Sequence, residues 1–188
     1  MLYATTVKTE KELKEIQRLN QQNLKKNLSE EEIVKEGFVS WFYSLELLKN
    51  MHQLAPSIIV KEEDEVIAYA LVTLKEASTF HNDLRIMIEN LQSVIYKNRP
   101  LLLYNFYLMG QVCIHKNYRG RGVFSLLYKE HKKVYSADYD LLVTEISTNN
   151  KRSLKAHEKV GFEDIHTYQD KLDQWSVVVW DWHNDHAT

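Results

Sequence analysis

The sequence predicts one α/β domain over residues 1–188, with a mixed sheet of about six to seven strands flanked by helices. Its 188 residues suit a single domain, for which ~150 residues is a usual length. It contains 5 Gly and 2 Pro, whereas average usage would give roughly thirteen and nine. That shortage favours long regular elements over a turn-dense all-β fold. Short apolar runs also alternate with amphipathic helical patterns along the chain.

The N-terminal third is predicted to contain one strand and two helices. The strand is Leu2–Val7, an apolar run with two threonines. Two capping boxes, in which Ser or Thr precedes Glu by three residues, predict the helix starts at Thr9 and Ser29. The second helix is expected to be long, because helical spacing continues through Phe38, Trp41, Phe42, Leu45 and Leu48.

The remaining elements follow from apolar periodicity and from turn residues. Two strands at 57–60 and 65–74 are joined by the charged turn KEEDE, and a helical stripe covers 80–97. An apolar strand is expected from Leu101 to Ile114, after Pro100. The C-terminal part then reads helix 123–135, strand 141–146, helix 150–160 and strand 175–182, with 168–174 left ambiguous.

Composition excludes several classes of protein. The single cysteine, Cys113, allows no intrachain disulfide and favours a reducing compartment. The N-terminus has no apolar signal core, and no run reaches the ~18 apolar residues of a membrane span. We therefore expect a cytoplasmic protein that binds neither a membrane nor, with a net charge of -2, nucleic acid. His183 and His186 lack a further metal-ligating partner nearby, so no metal site is predicted.

The loop between the strand ending at Ile114 and the next helix has the composition of an anion site. Gly120 and Gly122 let the backbone approach an anion, and the helix start offers unpaired N–H groups. Arg119 and Arg121 add positive charge. The loop does not fit a Walker A sequence or the dinucleotide fingerprint, since Val, Phe and Ser follow Gly122. A tight turn with solvated arginines is the alternative interpretation.

Two segments within residues 110–162 carry a family resemblance. NYRGRGVFSLLY resembles the signature loop Arg/Gln-x-x-Gly-x-Gly/Ala of the GNAT superfamily of N-acetyltransferases, with Phe124 in place of the last small residue. NKRSLKAHEKVGF is similar to the second signature of that family, with His157 at the position usually held by Tyr. The residues that match the two patterns are Arg119, Gly122, Asn150, Ser153, Glu158, Lys159, Gly161 and Phe162.

The resemblance implies a GNAT fold with splayed central strands and acetyl-CoA as co-substrate. The pantetheine would pair with the backbone of Val112, Cys113 and Ile114, and Asn150, Ser153 and His157 would approach the cofactor from the last helix. The acetyl thioester would lie in the gap between strands 108–114 and 141–146. The pyrophosphate would rest on the loop residues Arg119, Gly120, Arg121, Gly122, Val123, Phe124 and Ser125.

The implied chemistry is acetyl transfer to a primary amine by direct attack within a ternary complex. Glu145 is the candidate base, and its alternative is an ordinary exposed strand carboxylate. His157 is the candidate acid, and its alternative is a residue that only lines the cofactor channel. A strand N–H near Val112 is the candidate donor to the oxyanion.

The expected acceptor is a small-molecule or peptide amine that the sequence does not identify. The 80–97 helix could be a lid, a contact in a homodimer or a surface helix. The alternative function is a non-catalytic CoA- or acyl-CoA-binding regulatory module on the same fold. The absence of the usual Tyr and of an obvious base keeps that alternative open.

Overall fold

A computed structural model describes residues 1–183 of the protein, apart from the side chains of 34–36. Its centre is a seven-stranded mixed sheet with the strand order β1-β2-β3-β6-β7-β9-β8, and β4 and β5 form a separate hairpin. The strands are β1 (Leu2–Thr6), β2 (Ile58–Glu62), β3 (Glu65–Thr73), β4 (Ile95–Tyr96), β5 (Arg99–Pro100), β6 (Phe106–Ile114), β7 (Leu141–Ser147), β8 (Glu163–Gln169) and β9 (Gln174–Asp181).

Within residues 1–183, six α-helices accompany the sheet, and side chains cap most of their starts. Thr9 and Ser29 each complete the predicted capping box with the glutamate three residues on. Both boxes therefore begin helices where the sequence pattern indicated. The helices are α1 (Glu10–Gln22), α2 (Glu30–Glu36), α3 (Leu45–Leu54), α4 (Asn82–Asn90), α5 (Val123–Tyr135) and α6 (Lys151–Glu158).

The apolar core lies on both faces of the sheet. On one face, α5 and the residues around α6 pack over β2, β3, β6 and β7. On the other face, α1 and α3 cover β2 and β3, and the segment from α4 to Leu108 packs on β7 and β9. This second layer therefore has two parts.

The sheet opens into a fork between β6 and β7. These parallel strands are paired only from Phe106–Leu141 to Leu108–Val143. Beyond that point β6 pairs with β3 alone, through a register shift that inserts one extra residue near Gly110. A Cβ at Gly110 would lie 2.4 Å from Thr73 Oγ1, so this position accepts no side chain. The expected mixed sheet with splayed central strands is confirmed.

The long second helix predicted after Ser29 is wrong. Helix α2 ends at Glu36, because Gly37 adopts φ +73°, which stops the helix. Residues 38–44 then cross the molecule without helical structure, and Ser44 caps the start of α3. The apolar spacing that suggested a helix belongs to an irregular segment that buries Val39 and Tyr43.

Two further boundaries and one strand differ from the sequence prediction. The helix expected over 80–97 ends at Asn90, and Ile95 lies in the β4–β5 hairpin with 53% of its surface exposed. The strand expected from Leu101 starts at Phe106, after a turn of 3₁₀-helix. β8 was not predicted, because this edge strand is mostly half-buried or exposed and lacks a clear apolar alternation.

Candidate active site

The glycine loop leaves the start of α5 open to a ligand. Gly122 is the N-cap of α5 with φ +76°, and no side chain caps the helix there. The first-turn N–H groups therefore remain available to an anion. A Cβ built on Gly120 or on Gly122 would meet nothing within 4 Å, so the loop faces open space. This geometry fits a diphosphate better than it fits a closed tight turn.

A cleft of about 830 Å³ lies between this loop, the end of β6 and helix α6. Of the predicted cofactor residues, Arg121 and His157 are not on its wall. The Arg121 guanidinium instead lies 5.0 Å from the centre of the Tyr118 ring. The predicted residues that do line the cleft are Val112, Cys113, Ile114, Arg119, Gly120, Gly122, Val123, Phe124, Ser125, Asn150 and Ser153.

The cleft also has walls that the sequence reasoning missed. Three lysines at α6 add positive charge to the cleft: Lys151, Lys155 and Lys159. Their i, i+4, i+8 spacing in the sequence indicates that they share one helix face. The opposite wall is the segment Gly37–Val39. Asn150 joins the two walls, since its Nδ2 donates to the Phe38 carbonyl at 3.4 Å.

Arg119 forms structural hydrogen bonds in addition to contributing positive charge. Its Nε donates to the Ile114 carbonyl at 3.1 Å, and Nη2 donates to Asn23 Oδ1 at 2.7 Å. Asn23 is the C-cap residue of α1. The guanidinium therefore fastens the glycine loop to the end of β6 and to α1.

The last residues of β6 present their backbone to the fork. His115 N–H donates to the Ile67 carbonyl on the β3 side at 2.9 Å. Because backbone direction alternates along an antiparallel strand, Val112 and Ile114 turn their N–H groups toward the gap beside β7. Cys113 points its side chain into the core, with 5% exposed, and burial raises the pKa of its thiol to about 12.

His157 lies in the core below the cleft and is completely buried. Its Nδ1 donates to the Ser153 carbonyl at 2.8 Å, so Nε2 accepts from the Tyr128 hydroxyl at 2.5 Å. Burial also lowers the pKa of the imidazole to about 4. With both ring nitrogens occupied and no exposed edge, this placement does not support the predicted acid role or a channel-lining role.

The two departures from the family signatures touch each other. The ring of Phe124, which replaces a small residue, packs perpendicular to the His157 ring with centroids 5.0 Å apart. It also contacts the Tyr128 ring at 4.7 Å. The Phe124 side chain thus turns toward the core, as its place in an anion loop requires, and it covers the buried histidine.

Glu145 lies on β7 beyond the last residue that pairs with β6, and it is not among the residues that line the cleft. Its Oε1 atom is buried and has no hydrogen-bond partner. Burial raises the pKa of this carboxyl to about 8, Asp170 adds to the rise, and a hydrogen bond from Tyr168 opposes it. Glu145 is therefore not an ordinary exposed strand carboxylate.

A buried amide network fixes the other side of the fork. Asn20 donates from Nδ2 to Gln111 Oε1 at 2.6 Å and to the Trp41 carbonyl at 2.9 Å. Its Oδ1 accepts from the Tyr43 N–H at 3.1 Å. The network thereby holds segment 38–44 against the bulge of β6. The Trp41 ring lies against His81, with centroids 4.8 Å apart.

Residues 1–183 show neither a metal-binding cluster nor a membrane-spanning helix. This part of the chain contains no group of three or more His, Cys, Asp or Glu residues that could hold a metal ion. It also contains no helix that is both long and apolar enough to cross a membrane. His186 lies outside the described residues.

A forked mixed sheet with a glycine loop at the start of a helix defines a GNAT-type acetyltransferase. The chain belongs to the acetyltransferase (GNAT) family, whose model matches residues 24–162. This family uses acetyl-CoA. A search with the sequence among curated proteins found no match.

Solved structures share the fold over almost the whole chain at low sequence identity. The NatC complex bound to Gag peptide and CoA contains a chain 13% identical, with a TM-score of 0.63 and coverage of 96% of this chain and 98% of that chain. Ard1 from Thermoplasma volcanium is 10% identical, with a TM-score of 0.64 and coverage of 96% and 97%. The ribosomal-protein-S18-alanine N-acetyltransferase from Escherichia coli is 9% identical, with a TM-score of 0.61 and coverage of 96% and 94%.

Proposed function

We propose that this protein transfers the acetyl group of acetyl-CoA to a primary amine by direct attack within a ternary complex. The observation that carries the proposal is the buried, unpartnered oxygen of Glu145 in the fork. Nearby, the backbone of β6 is free of β7. A base and N–H donors on the two strands that border one gap are the groups that acyl transfer to an amine requires.

The residues of the cleft fit CoA. The N–H groups from Gly122 to Ser125 would hold the pyrophosphate, with the lysines of α6 adding positive charge. The backbone of Val112 and Ile114 would pair with the pantetheine amides. When bound, acetyl-CoA supplies the acetyl group as an activated thioester.

Glu145 would take a proton from the acceptor ammonium, either directly or through one water molecule. Its burial suits this task, because a carboxyl with a pKa of about 8 is a stronger base than an ordinary glutamate. The Val112 N–H would donate to the oxyanion. His157 would support the floor of the cleft through Tyr128 and Phe124 and would not transfer a proton.

Peptide amines are the first acceptors to test. One structural neighbour is bound to a Gag peptide, and another is named for acetylating an alanine of a ribosomal protein. Small amines such as polyamines and free lysine form the second group, since the net charge of -2 is too small to choose between them.

The decisive experiment measures thiol release from acetyl-CoA in the presence of each amine. Glu145→Gln should lower kcat/KM about 100-fold or more, because general bases contribute that much. The wild-type profile of kcat/KM should rise with pH through about 8, since only the carboxylate accepts a proton. Cys113 is buried, so the protein itself adds little thiol signal.

Glu163→Gln is the matched control, because it removes an exposed carboxylate from β8. That variant should keep the wild-type rate and pH profile. Full activity in Glu145→Gln would contradict the base role. Tight CoA binding without thiol release for any amine would favour the regulatory module.

A further inference from the structure

At the point where β6 and β7 separate, a side chain occupies the place of a backbone donor. Thr144 on β7 is 2% exposed, and its Oγ1 donates to the Met109 carbonyl on β6 at 2.8 Å. Thr144 comes directly after Val143, the last residue of β7 that pairs with β6. The hydroxyl therefore lies at the first position beyond the end of the strand ladder.

The ladder shows which backbone group would otherwise bind the Met109 carbonyl. At the start of the pair, Leu141 N–H donates to the Asn105 carbonyl at 3.3 Å. Because carbonyl direction alternates along a strand, the Met109 carbonyl, four residues further on, also points toward β7. The donor that matches it in a parallel pair lies four residues after Leu141, which is the N–H of Glu145.

The Thr144 hydroxyl thus makes the bond that the Glu145 N–H would make in a longer ladder. Among the described residues, pairing between the two strands stops at Leu108–Val143, so the Glu145 N–H has no partner on β6. A buried carbonyl left without a donor is costly. The cap on the Met109 carbonyl removes that cost, and the strands can part at this position.

Strand β6 changes direction at the same point. Directly after Met109, residues 110 and 111 together face Leu71 of β3, which is the extra residue of the bulge. The bulge shifts the alternation of the backbone by one, so the next N–H turned toward the fork belongs to Val112. The bulge on β6 and the threonine cap on β7 therefore meet at a single carbonyl group.

We propose that Thr144 is a positioning residue, whose hydroxyl caps the Met109 carbonyl, ends the β6–β7 ladder and keeps Glu145 free of β6. This inference rests on the proposed function and deepens it. One more rung would tie the Glu145 backbone to β6 and narrow the gap between the two strands. A displacement of about 1 Å in a reacting group can cost about 100-fold in rate.

Amide hydrogen exchange in the ¹⁵N-labelled apo protein tests this geometry without any substitution. By the same alternation, Val143 N–H points toward β6 within the ladder, and Glu145 N–H points toward the fork. After correction for intrinsic rates, Glu145 N–H should exchange at least about tenfold faster than Val143 N–H, because it lacks a hydrogen bond. Equal protection of the two amides would show that the ladder continues, and this would overturn the inference.

Two substitutions at Thr144 separate its hydroxyl from its shape. Thr144→Val keeps the shape and removes the donor, so the Glu145 N–H should take over the Met109 carbonyl. Exchange of that N–H should slow about tenfold, and kcat/KM should fall at least about tenfold. Thr144→Ser keeps the donor and should stay near the wild type in both measurements.

A role in packing alone predicts the opposite order of the two variants. Thr144→Ser removes a buried methyl group and leaves a small cavity, whereas Thr144→Val fills the same space. Lower kcat/KM in Thr144→Ser than in Thr144→Val would therefore overturn the positioning role. Wild-type kcat/KM or unchanged exchange of the Glu145 N–H in Thr144→Val would also overturn it.

Thr79→Val is the matched control. The Thr79 hydroxyl also donates to a backbone carbonyl, that of Glu76, at 2.8 Å, but it is exposed in the 3₁₀ turn after β3. This variant should keep the wild-type kcat/KM and the wild-type exchange of the Glu145 N–H. An equal effect in Thr79→Val would show a general loosening of the fold and would overturn the positioning role.

Glu145→Gln separates this inference from the proposed function. If Glu145→Gln is inactive while Thr144→Val turns over at the wild-type rate, only the positioning role is overturned. Full turnover in Glu145→Gln would overturn the base role, and the positioning role would fall with it. The exchange comparison does not depend on activity, so it tests the end of the ladder in either case.

Discussion

The two walls of the fork are built in different ways. The cofactor wall, residues 106–158, is a run of strand, loop and helix in which successive elements meet through short connections. The second wall, residues 38–44 and 82–104, is held by side chains far apart in the chain; we call it the acceptor wall, because the proposed acceptor would bind on this side. Asn20 and Gln111 are 91 residues apart, and Asn90 and Tyr168 are 78 residues apart.

Because the two walls are built differently, a substitution in one wall is expected to leave the other wall intact. Backbone N–H groups and glycines form the anion loop, and they depend little on the rest of the sheet. The acceptor wall depends on buried amides from several elements, where leaving one partner unsatisfied is costly. Variants on the two walls should therefore separate cofactor binding from stability and acceptor use.

The largest expected effect is on the acceptor wall. Asn20→Ala removes a buried amide and leaves the Tyr43 N–H without its acceptor. We expect a loss of about 3 kcal/mol in the free energy of unfolding, measured by urea denaturation. The exposed Asn27→Ala should lose less than about 1 kcal/mol. Equal losses in the two variants would show that the network does not hold this wall.

The second-largest expected effect is the loss of stability in acid, which arises in the layer beneath the cofactor wall. Burial lowers the pKa of His157 to about 4 and that of His131 to about 3. Their folded-state values lie below the ordinary ~6.5, so their contribution to stability is complete above that pH and is lost as pH falls. Each histidine should lose about 1.4 kcal/mol by pH 5.5.

Denaturation between pH 7.5 and 4.5 measures this loss. His157→Phe should lose about 1.4 kcal/mol less than the wild type between pH 7.5 and 5.5, because one of the two buried histidines is gone. This difference is expected whatever the stability of the variant at pH 7.5. If the slope stays unchanged, the imidazole is not buried in its neutral form. If this variant keeps CoA affinity but loses turnover, the predicted acid role is restored.

On the cofactor wall, Gly122→Val should weaken CoA binding at least about tenfold by calorimetry. A Cβ there would project into the open space in front of the loop, where the anion would bind, and φ +76° strains a β-branched residue. Asn98→Val controls for strain, because Asn98 has φ 62° in the β4–β5 turn, outside the cleft. It should keep CoA affinity. Wild-type CoA affinity in Gly122→Val would contradict the anion site.

The smallest expected effect is at the contact between the walls of the cleft. Gly37→Ala should lower stability by about 1 kcal/mol, because φ is +73°. It should lose more than Gly120→Ala, which has the same φ in open space, because a Cβ at Gly37 would lie 3.1 Å from Asn150 Oδ1. Thermal denaturation compares the two variants. Equal losses of stability in the two variants would mean that Asn150 moves aside without cost.

The fold was predicted best where local chemistry decides it. The ends of α5, the two capping boxes and the strand pair β2–β3 follow from residues within a few positions of one another. The segment 38–44 was misassigned because its apolar residues have helical spacing by coincidence. Gly37 and Ser44 are the local stop and start signals of this segment.

The sequence by itself determined the anion loop, the order of the elements and the family, because glycine spacing and helix starts act through neighbouring backbone. Only the tertiary structure decided that His157 is buried under Phe124 and that Glu145 has an unpartnered oxygen in the fork. Burial and pKa depend on groups that distant segments bring together. A linear pattern identifies the candidate residues, and packing sets the chemistry available to each one.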